Sequence, residues 1–102
     1  MSREKIVITG LGVLAPNGNN VDEFWASCTA GKSGIGPITY FDASNHRASI
    51  AGELSDFQPE KVLDPKEIRK LDPFSVYALV ATDEAIKMAN IDFKSIDLDR
   101  VG

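Results

Sequence analysis

The chain has 102 residues, of which 43% are hydrophobic and 25% charged, and its formal net charge is −4. This size fits one soluble globular domain at most, and the acidic balance argues against nucleic-acid binding. Its longest apolar runs, of about six residues, fall far short of the roughly 20 that a membrane helix needs. One cysteine and one histidine exclude an internal disulfide and a metal site rich in these residues. With no secretory leader in view, we predict a cytoplasmic protein.

The chain opens on an apolar run at residues 5–14, which is continuous rather than alternating and so predicts a strand buried on both faces. Residues 10–15 fit the pattern G-x-G-x-x-A of dinucleotide sites. Such a site needs a helix that begins inside the motif, whereas the turn Pro16-Asn17-Gly18 stands where that helix would continue. We therefore interpret Gly10 and Gly12 as allowing close packing, with a small nucleotide-binding domain as an alternative.

The next segment predicts a helix over residues 21–30. Asn20 can cap it, Glu23 lies three residues later as in a capping box, and Gly31 can end it in the left-handed conformation. One apolar stripe follows the helix, formed by Val21, Phe24, Trp25 and Cys28. On that stripe the thiol is expected to pack in the core as a small hydrophobe and not to act as a nucleophile.

Residues 32–47 show no periodicity, so we predict a long ordered loop or a pair of turns. His46 lies between two polar residues there and is expected to be a solvated loop residue rather than a catalytic one. Residues 49–54 predict a short strand at a sheet edge, because Gly52 weakens it.

Two helix starts then follow within eight residues, at Asp64-Pro65-Lys66-Glu67 and at Asp72-Pro73-Phe74. Each offers a capping aspartate and a proline at the first helical position, so the first helix has room for only about two turns. The second is predicted from Pro73 to residue 88 or 89, with Asn90 as its left-handed C′ residue. It is apolar around so much of its circumference that other elements must cover it.

The last residues, 91–99, indicate a connector, and residues 100–102 indicate the opening of another strand. The order of elements is an α/β pattern that lacks its remaining strands.

We find no pair of acidic residues whose spacing argues for acid–base catalysis.

The basic residues show one concentration, because four of the eleven cations fall within ten residues, at Lys61, Lys66, Arg69 and Lys70. On a helix the last three project from one side, being spaced i, i+3 and i+4. This side is either an ordinary solvated face or a docking patch for an acidic partner.

Together these motifs resemble the amino-terminal portion of the β-ketoacyl-acyl carrier protein synthases, and most of all the elongating synthase II type of bacterial fatty acid synthesis. The resemblance runs from end to end and is carried by residues 7–12, 16–19, 24–25, 30–35, 41–44, 50–53, 64–67, 69–72 and 77–79. Polyketide ketosynthases and chain-length factors share the same opening, and a non-catalytic module that docks a carrier protein is a further alternative.

The resemblance implies a thiolase-like fold, a layered α/β/α/β/α arrangement that is usually dimeric. Residues 1–102 would be an incomplete amino-terminal portion of that one domain, with no separate second domain. The resemblance also implies decarboxylative Claisen condensation. An acyl group passes from the phosphopantetheine arm of a carrier protein to an active-site cysteine, and a malonyl-carrier thioester attacks it after losing carbon dioxide.

The family's catalytic cysteine and two histidines would lie after residue 102, since Cys28 and His46 do not match them. We therefore expect no catalytic residue, no bound cofactor and no metal in this chain, which should be inactive alone. The resemblance places carrier-protein docking on Lys66, Arg69 and Lys70. Pro73 departs from the family, which often has a basic residue there.

Overall fold

The protein is described here by a computed structural model, which covers residues 3–102. Within that span it forms three α-helices and one antiparallel two-stranded sheet, whose bounds are α1 (Val21–Thr29), β1 (Ile35–Pro37), β2 (Ile50–Gly52), α2 (Pro65–Lys70) and α3 (Pro73–Ala89). Two 3-10 turns, at Pro59–Lys61 and Leu98–Arg100, precede α2 and follow α3.

Helix α1 begins and ends where the sequence predicts, to within one residue. The side chain of Asn20 accepts a hydrogen bond of 2.8 Å from the amide of Glu23, which satisfies one free N–H of the first turn. At the other end Gly31 has a φ of +70°. The amides of Gly31 and Lys32 donate to the carbonyls of Cys28 and Ser27, the paired bonds of a Schellman motif.

Helices α2 and α3 also follow their predicted bounds, but only one of their two aspartates caps. Asp64 Oδ1 accepts from the amide of Lys66 at 2.9 Å. Asp72 occupies the N-cap position through its extended backbone alone, and its side chain makes no capping bond. That start therefore depends on the fixed φ of Pro73. Asn90 ends α3 in the left-handed conformation, with a φ of 54°.

The predicted strand over residues 5–14 is wrong as a strand, because these residues have no ladder partner among residues 3–102. The segment instead runs antiparallel to α3, so that Gly10 lies on the last turn and Gly12 lies on Ala81. A Cβ at Gly12 would overlap the carbonyl oxygen of Ala81. The interpretation of these glycines as close-packing residues is therefore confirmed.

Two further expectations about strands need correction. Residues 32–47 contain β1 as well as loop, paired with β2 in the register Ile35 to Gly52 and Pro37 to Ile50. Glycine and proline are typical of turns, so the sequence of β1 does not predict a strand. Proline is nevertheless tolerated on a short edge strand. The strand expected at residues 100–102 is not formed within the described part of the chain.

The core is small for the size of the chain. Only Ala43 and Val76 are buried among the hydrophobic residues described. The accessible surface is 8619 Å², about half as large again as the ~5,700 Å² typical of a folded monomer of this mass. The radius of gyration is 17.6 Å, against about 13 Å for a compact domain. Helix α3 therefore keeps exposed apolar surface, as the sequence predicts.

The prediction that the apolar stripe of α1 is core is wrong. Val21 and Phe24 are half-buried. Trp25 is 66% exposed and Cys28 is exposed, because no other helix or strand of residues 3–102 covers that part of α1. A stripe predicts which side will be covered, and its burial depends on a neighbour elsewhere in the fold.

Candidate functional site

The candidate site is the solvent-facing side of α2, formed by Lys66, Arg69 and Lys70 and called the basic face below. All three side chains are exposed, and the one half-buried residue of α2 is Ile68. At about 100° per residue, Ile68 lies on the opposite side of the helix from the three cations. Burial of Ile68 therefore turns the basic face toward solvent.

The charges of the basic face are available to a partner. The one salt bridge found among residues 3–102 joins Lys87 Nζ to Asp83 Oδ2 on α3, at 2.8 Å. Arg69 Nε donates to the carbonyl of Pro65 at 3.3 Å, which steadies the stem of that side chain on its own helix. The carboxylate of Asp64 accepts the capping hydrogen bond, and no salt bridge joins it to the three cations within residues 3–102.

The 3-10 turn at Pro59–Lys61 packs against both α2 and α3. It carries Lys61, the fourth cation of the cluster, beside α2. Lys61 also borders a cleft of about 630 Å³ that is lined mainly by polar residues. Several polar groups in that cleft already bond to each other, as when Asn19 Nδ2 donates to the Ser55 carbonyl at 2.6 Å. That bond joins the loop before α1 to the loop before the 3-10 turn.

Glu84 on α3 joins three parts of the chain, a role that the sequence pattern does not predict. Its two carboxylate oxygens accept from the amide of Val13 at 3.0 Å and from the amide of Val21 at 2.9 Å. Val21 is the first residue of α1, so the carboxylate also lies at the positive end of that helix. One side chain thus ties both the amino-terminal segment and α1 to α3.

We expect Glu84→Ala to lower the free energy of unfolding by about 2–4 kcal/mol, because two amides lose a charged acceptor. Glu84→Gln keeps one acceptor oxygen and should lose about half as much. Urea unfolding, monitored by the circular dichroism of the helices, measures the loss of stability in both variants. The control is Glu60→Ala, which removes an exposed glutamate for which the structure shows no hydrogen bond within residues 3–102. Equal urea midpoints for Glu84→Ala and Glu60→Ala would contradict the conclusion that Glu84 holds these segments on α3.

A second glutamate holds the loop that follows β1. Both carboxylate oxygens of Glu53 accept from the amide of Thr39, at 3.0 and 3.2 Å, and one accepts from the amide of Tyr40 at 3.2 Å. The pKa of Tyr40 is raised, first by the phenol of Tyr77 on α3 and also by desolvation and the Glu53 carboxylate. Tyr77 in turn meets Phe57 edge to face, with 5.3 Å between ring centroids. Through Tyr77, these contacts attach the segment around the strand pair β1–β2 to α3.

The loop beyond Tyr40 is shaped by its own polar residues. Asp42 Oδ1 accepts from the amide of Ser44 at 3.0 Å. That backbone hydrogen bond is the main reason why the pKa of Asp42 is lowered. His46 is exposed, and its ring meets Phe41 edge to face at 5.4 Å, which confirms it as a loop residue.

The remaining candidates from the sequence do not form a site. No helix begins within residues 10–15, and α1 starts only at Val21, so these residues present no helix amino terminus to a pyrophosphate. Residues 3–102 contain no cluster of three or more acidic, histidine or cysteine side chains placed to share a metal ion. No helix in the same span has the length and hydrophobicity needed to cross a bilayer.

Comparison with known proteins identifies the family. A sequence model of the family described as "Beta-ketoacyl synthase, N-terminal domain" matches residues 3–102. The chain belongs to the β-ketoacyl synthase family. Three relatives named 3-oxoacyl-(acyl-carrier-protein) synthase 2 match over the whole of this chain, with identities of 44% for Coxiella burnetii, 36% for Synechocystis and 43% for Staphylococcus aureus.

The match to these β-ketoacyl synthases covers the whole of this chain but only part of each relative. The chain spans about a quarter of the length of the curated relatives, with 25% of the Coxiella protein covered. Two solved structures are similar over the same portion. The ishigamide ketosynthase/chain length factor has a TM-score of 0.79 and 31% identity, with 88% of this chain and 22% of that one covered.

The second solved structure is a type II PKS acyl-carrier protein in complex with its ketosynthase bound to the hexaketide. It has a TM-score of 0.65 and 33% identity, and the similarity covers 89% of this chain and 23% of that one. Both structures support the thiolase-like fold class for the segment, of which this chain holds helices and a two-stranded sheet.

Proposed function

We propose that this chain is the amino-terminal segment of a 3-oxoacyl-(acyl-carrier-protein) synthase, which elongates acyl chains by decarboxylative condensation with a malonyl-carrier thioester in fatty acid biosynthesis. The observation that carries the proposal is the end-to-end similarity to relatives of that name from three different organisms. The substrates would arrive on the phosphopantetheine arm of the carrier protein, with no cofactor held by the enzyme. The whole enzyme would be a cytoplasmic homodimer.

We further propose that the basic face docks an acidic acyl carrier protein. The support is twofold: a related ketosynthase has been solved in complex with its acyl-carrier protein, and all three cations are exposed on one side of α2. The chain as a whole carries a net charge of −4, so the basic face is a local exception. Such a patch would speed the encounter and set the orientation of an acidic partner.

A polyketide ketosynthase or chain-length factor is the second candidate. The solved relatives favour it, because one is described as a ketosynthase/chain length factor and the other as part of a type II PKS complex. Their identities of 31% and 33% lie below the 36–44% of the fatty acid relatives. We therefore place fatty acid synthesis first.

A chimera tests the proposal directly. Residues 1–102 replace the matching quarter of the Coxiella synthase, and the purified chimera is assayed for 3-oxoacyl product with acyl-carrier and malonyl-carrier protein. We expect condensation comparable with that of the intact host, and none from the 102-residue chain alone. A chimera that folds like the host and binds carrier protein but forms no product would instead favour the non-catalytic docking module.

A further inference from the structure

Two backbone amides of the amino-terminal segment are bound by side chains of α3. The amide of Leu11 donates to Met88 Sδ at 3.3 Å, and the amide of Val13 donates to Glu84 Oε1 at 3.0 Å. Residues 84 and 88 lie one turn apart on one face of the helix. Two extended residues advance about 6.6 Å and four helical residues about 6 Å, so the spacing of the two donors matches that of the two acceptors.

The two ends of this attachment differ in strength. The carboxylate of Glu84 forms charge-assisted bonds and also accepts from the amide of Val21. The thioether sulfur of Met88 is a weak acceptor. Beside it Gly10 is packed tightly on the helix, since a Cβ there would overlap the carbonyl oxygen of Ala85. The end of the segment near Met88 therefore depends on close contact and one weak bond.

Met88 is accessible to small oxidants. It is 49% exposed, and it borders a groove of about 480 Å³ beside α3. It is also the one methionine within residues 3–102. Oxidation of methionine to the sulfoxide is a common modification, which methionine sulfoxide reductases reverse. This sulfur is therefore both open to that reaction and bonded to the backbone of another segment.

Oxidation by a hydroperoxide would remove the acceptor. A sulfur lone pair attacks one peroxide oxygen, the O–O bond breaks and the S–O bond forms. The second oxygen takes up a proton and leaves as water, so the sulfur is oxidised by two electrons and the peroxide is reduced. An oxygen on the side of Leu11 does not fit between the sulfur and an amide nitrogen 3.3 Å away. An oxygen on the other side leaves a positively polarised sulfur, which no longer attracts the amide hydrogen.

We propose that Met88 is a site of reversible oxidation, at which a hydroperoxide forms the sulfoxide and so releases residues 10 and 11 from the last turn of α3. Glu84 still holds Val13 and Val21 to the helix, so the change is local and the fold survives it. This proposal goes beyond the proposed function and does not depend on it, because it concerns the attachment of a segment to a helix and not the condensation.

Peroxide treatment of the Coxiella chimera tests the proposal, in a Cys28→Ser background that removes the exposed thiol. After the reaction, trypsin cuts at Lys87 and Lys94 and so isolates Met88 in one peptide. We expect that peptide to gain one oxygen at a rate within about tenfold of that of blocked free methionine, because the side chain is exposed. Methionine sulfoxide reductase should remove the oxygen again.

Hydrogen exchange, measured at single residues by mass spectrometry, reports the consequence. We expect the Leu11 amide to exchange roughly 2- to 10-fold faster after oxidation, the factor that corresponds to the loss of one hydrogen bond. The Val13 amide should be unchanged. Met88→Leu is the matched control, because leucine has a similar volume but offers no sulfur. In that variant the Leu11 amide should exchange at the faster rate from the start and should not respond to peroxide.

Three results would overturn the proposal. They are a Met88 that stays reduced in the folded chimera, an oxidised Met88 with unchanged exchange at Leu11, and a response of Leu11 to peroxide in Met88→Leu. None of these measurements uses condensation. A chimera that is oxidised and opens as expected but forms no product would therefore count against the proposed function alone.

Discussion

Gly12→Ala is expected to lower the free energy of unfolding by about 3 kcal/mol, the upper end of the usual cost of overpacking, because the neighbouring atom is rigid backbone. The added methyl would overlap the carbonyl oxygen of Ala81. That atom belongs to the helical backbone of α3, so it cannot rotate away as a flexible side chain would. The segment and α3 must separate, which also strains the hydrogen bond from Val13 to Glu84. Urea unfolding of the Coxiella chimera, followed by circular dichroism, measures the loss.

Gly36→Ala is the matched control for this substitution. A Cβ at Gly36 would meet nothing within 4 Å, and Gly36 lies in the strand β1, where alanine is not less favourable than glycine. We expect its unfolding midpoint to equal that of the parent chimera. If Gly12→Ala unfolds at the same urea concentration as Gly36→Ala, the close approach between residue 12 and α3 is wrong.

Reversing two charges of the basic face should weaken the use of carrier-bound substrates strongly. For Lys66→Glu/Arg69→Glu in the chimera, we expect the KM for malonyl-carrier protein to rise roughly 10- to 100-fold, because two attractions become repulsions. The kcat should change little, since neither residue belongs to the chemistry. Steady-state kinetics at two salt concentrations provide the measurement, and the effect should shrink at high salt.

Two controls separate docking from damage to the fold. Arg47→Glu/Lys94→Glu makes the same change in net charge at two exposed positions outside α2, and it should leave the KM near that of the parent. Condensation with a small malonyl thioester that lacks the carrier protein should be equal in all variants. Equal KM values and equal salt dependence for the two double variants would return the basic face to an ordinary solvated surface.

The local features of the fold could be predicted from the sequence because their causes are local. Asn20 begins α1, and Gly31 and Asn90 end α1 and α3, through bonds and dihedral angles within a few residues. The spacing of Lys66, Arg69 and Lys70 likewise fixes the basic face once α2 is a helix. Asp72 shows the limit of such reasoning, since it stands at the N-cap without forming the side-chain bond.

The features that the sequence did not predict depend on distant partners. Glu84 bonds to amides 71 and 63 residues away, and only its position as an acid on a largely apolar helix hints at that role. The burial expected for Cys28 is wrong because no distant element within residues 3–102 covers the part of α1 that carries it. Residues 5–14 could be predicted as extended, but not their pairing, because a strand needs a partner that local pattern does not name.

The exposure of Cys28 has a practical consequence. It is the one thiol in the 102 residues, so a maleimide dye or a spin label attaches at a single known position without any mutation. That position lies on α1, a different helix from the one that carries the cations of the basic face. A donor fluorophore there and an acceptor on a carrier protein would act as a molecular ruler across the two surfaces.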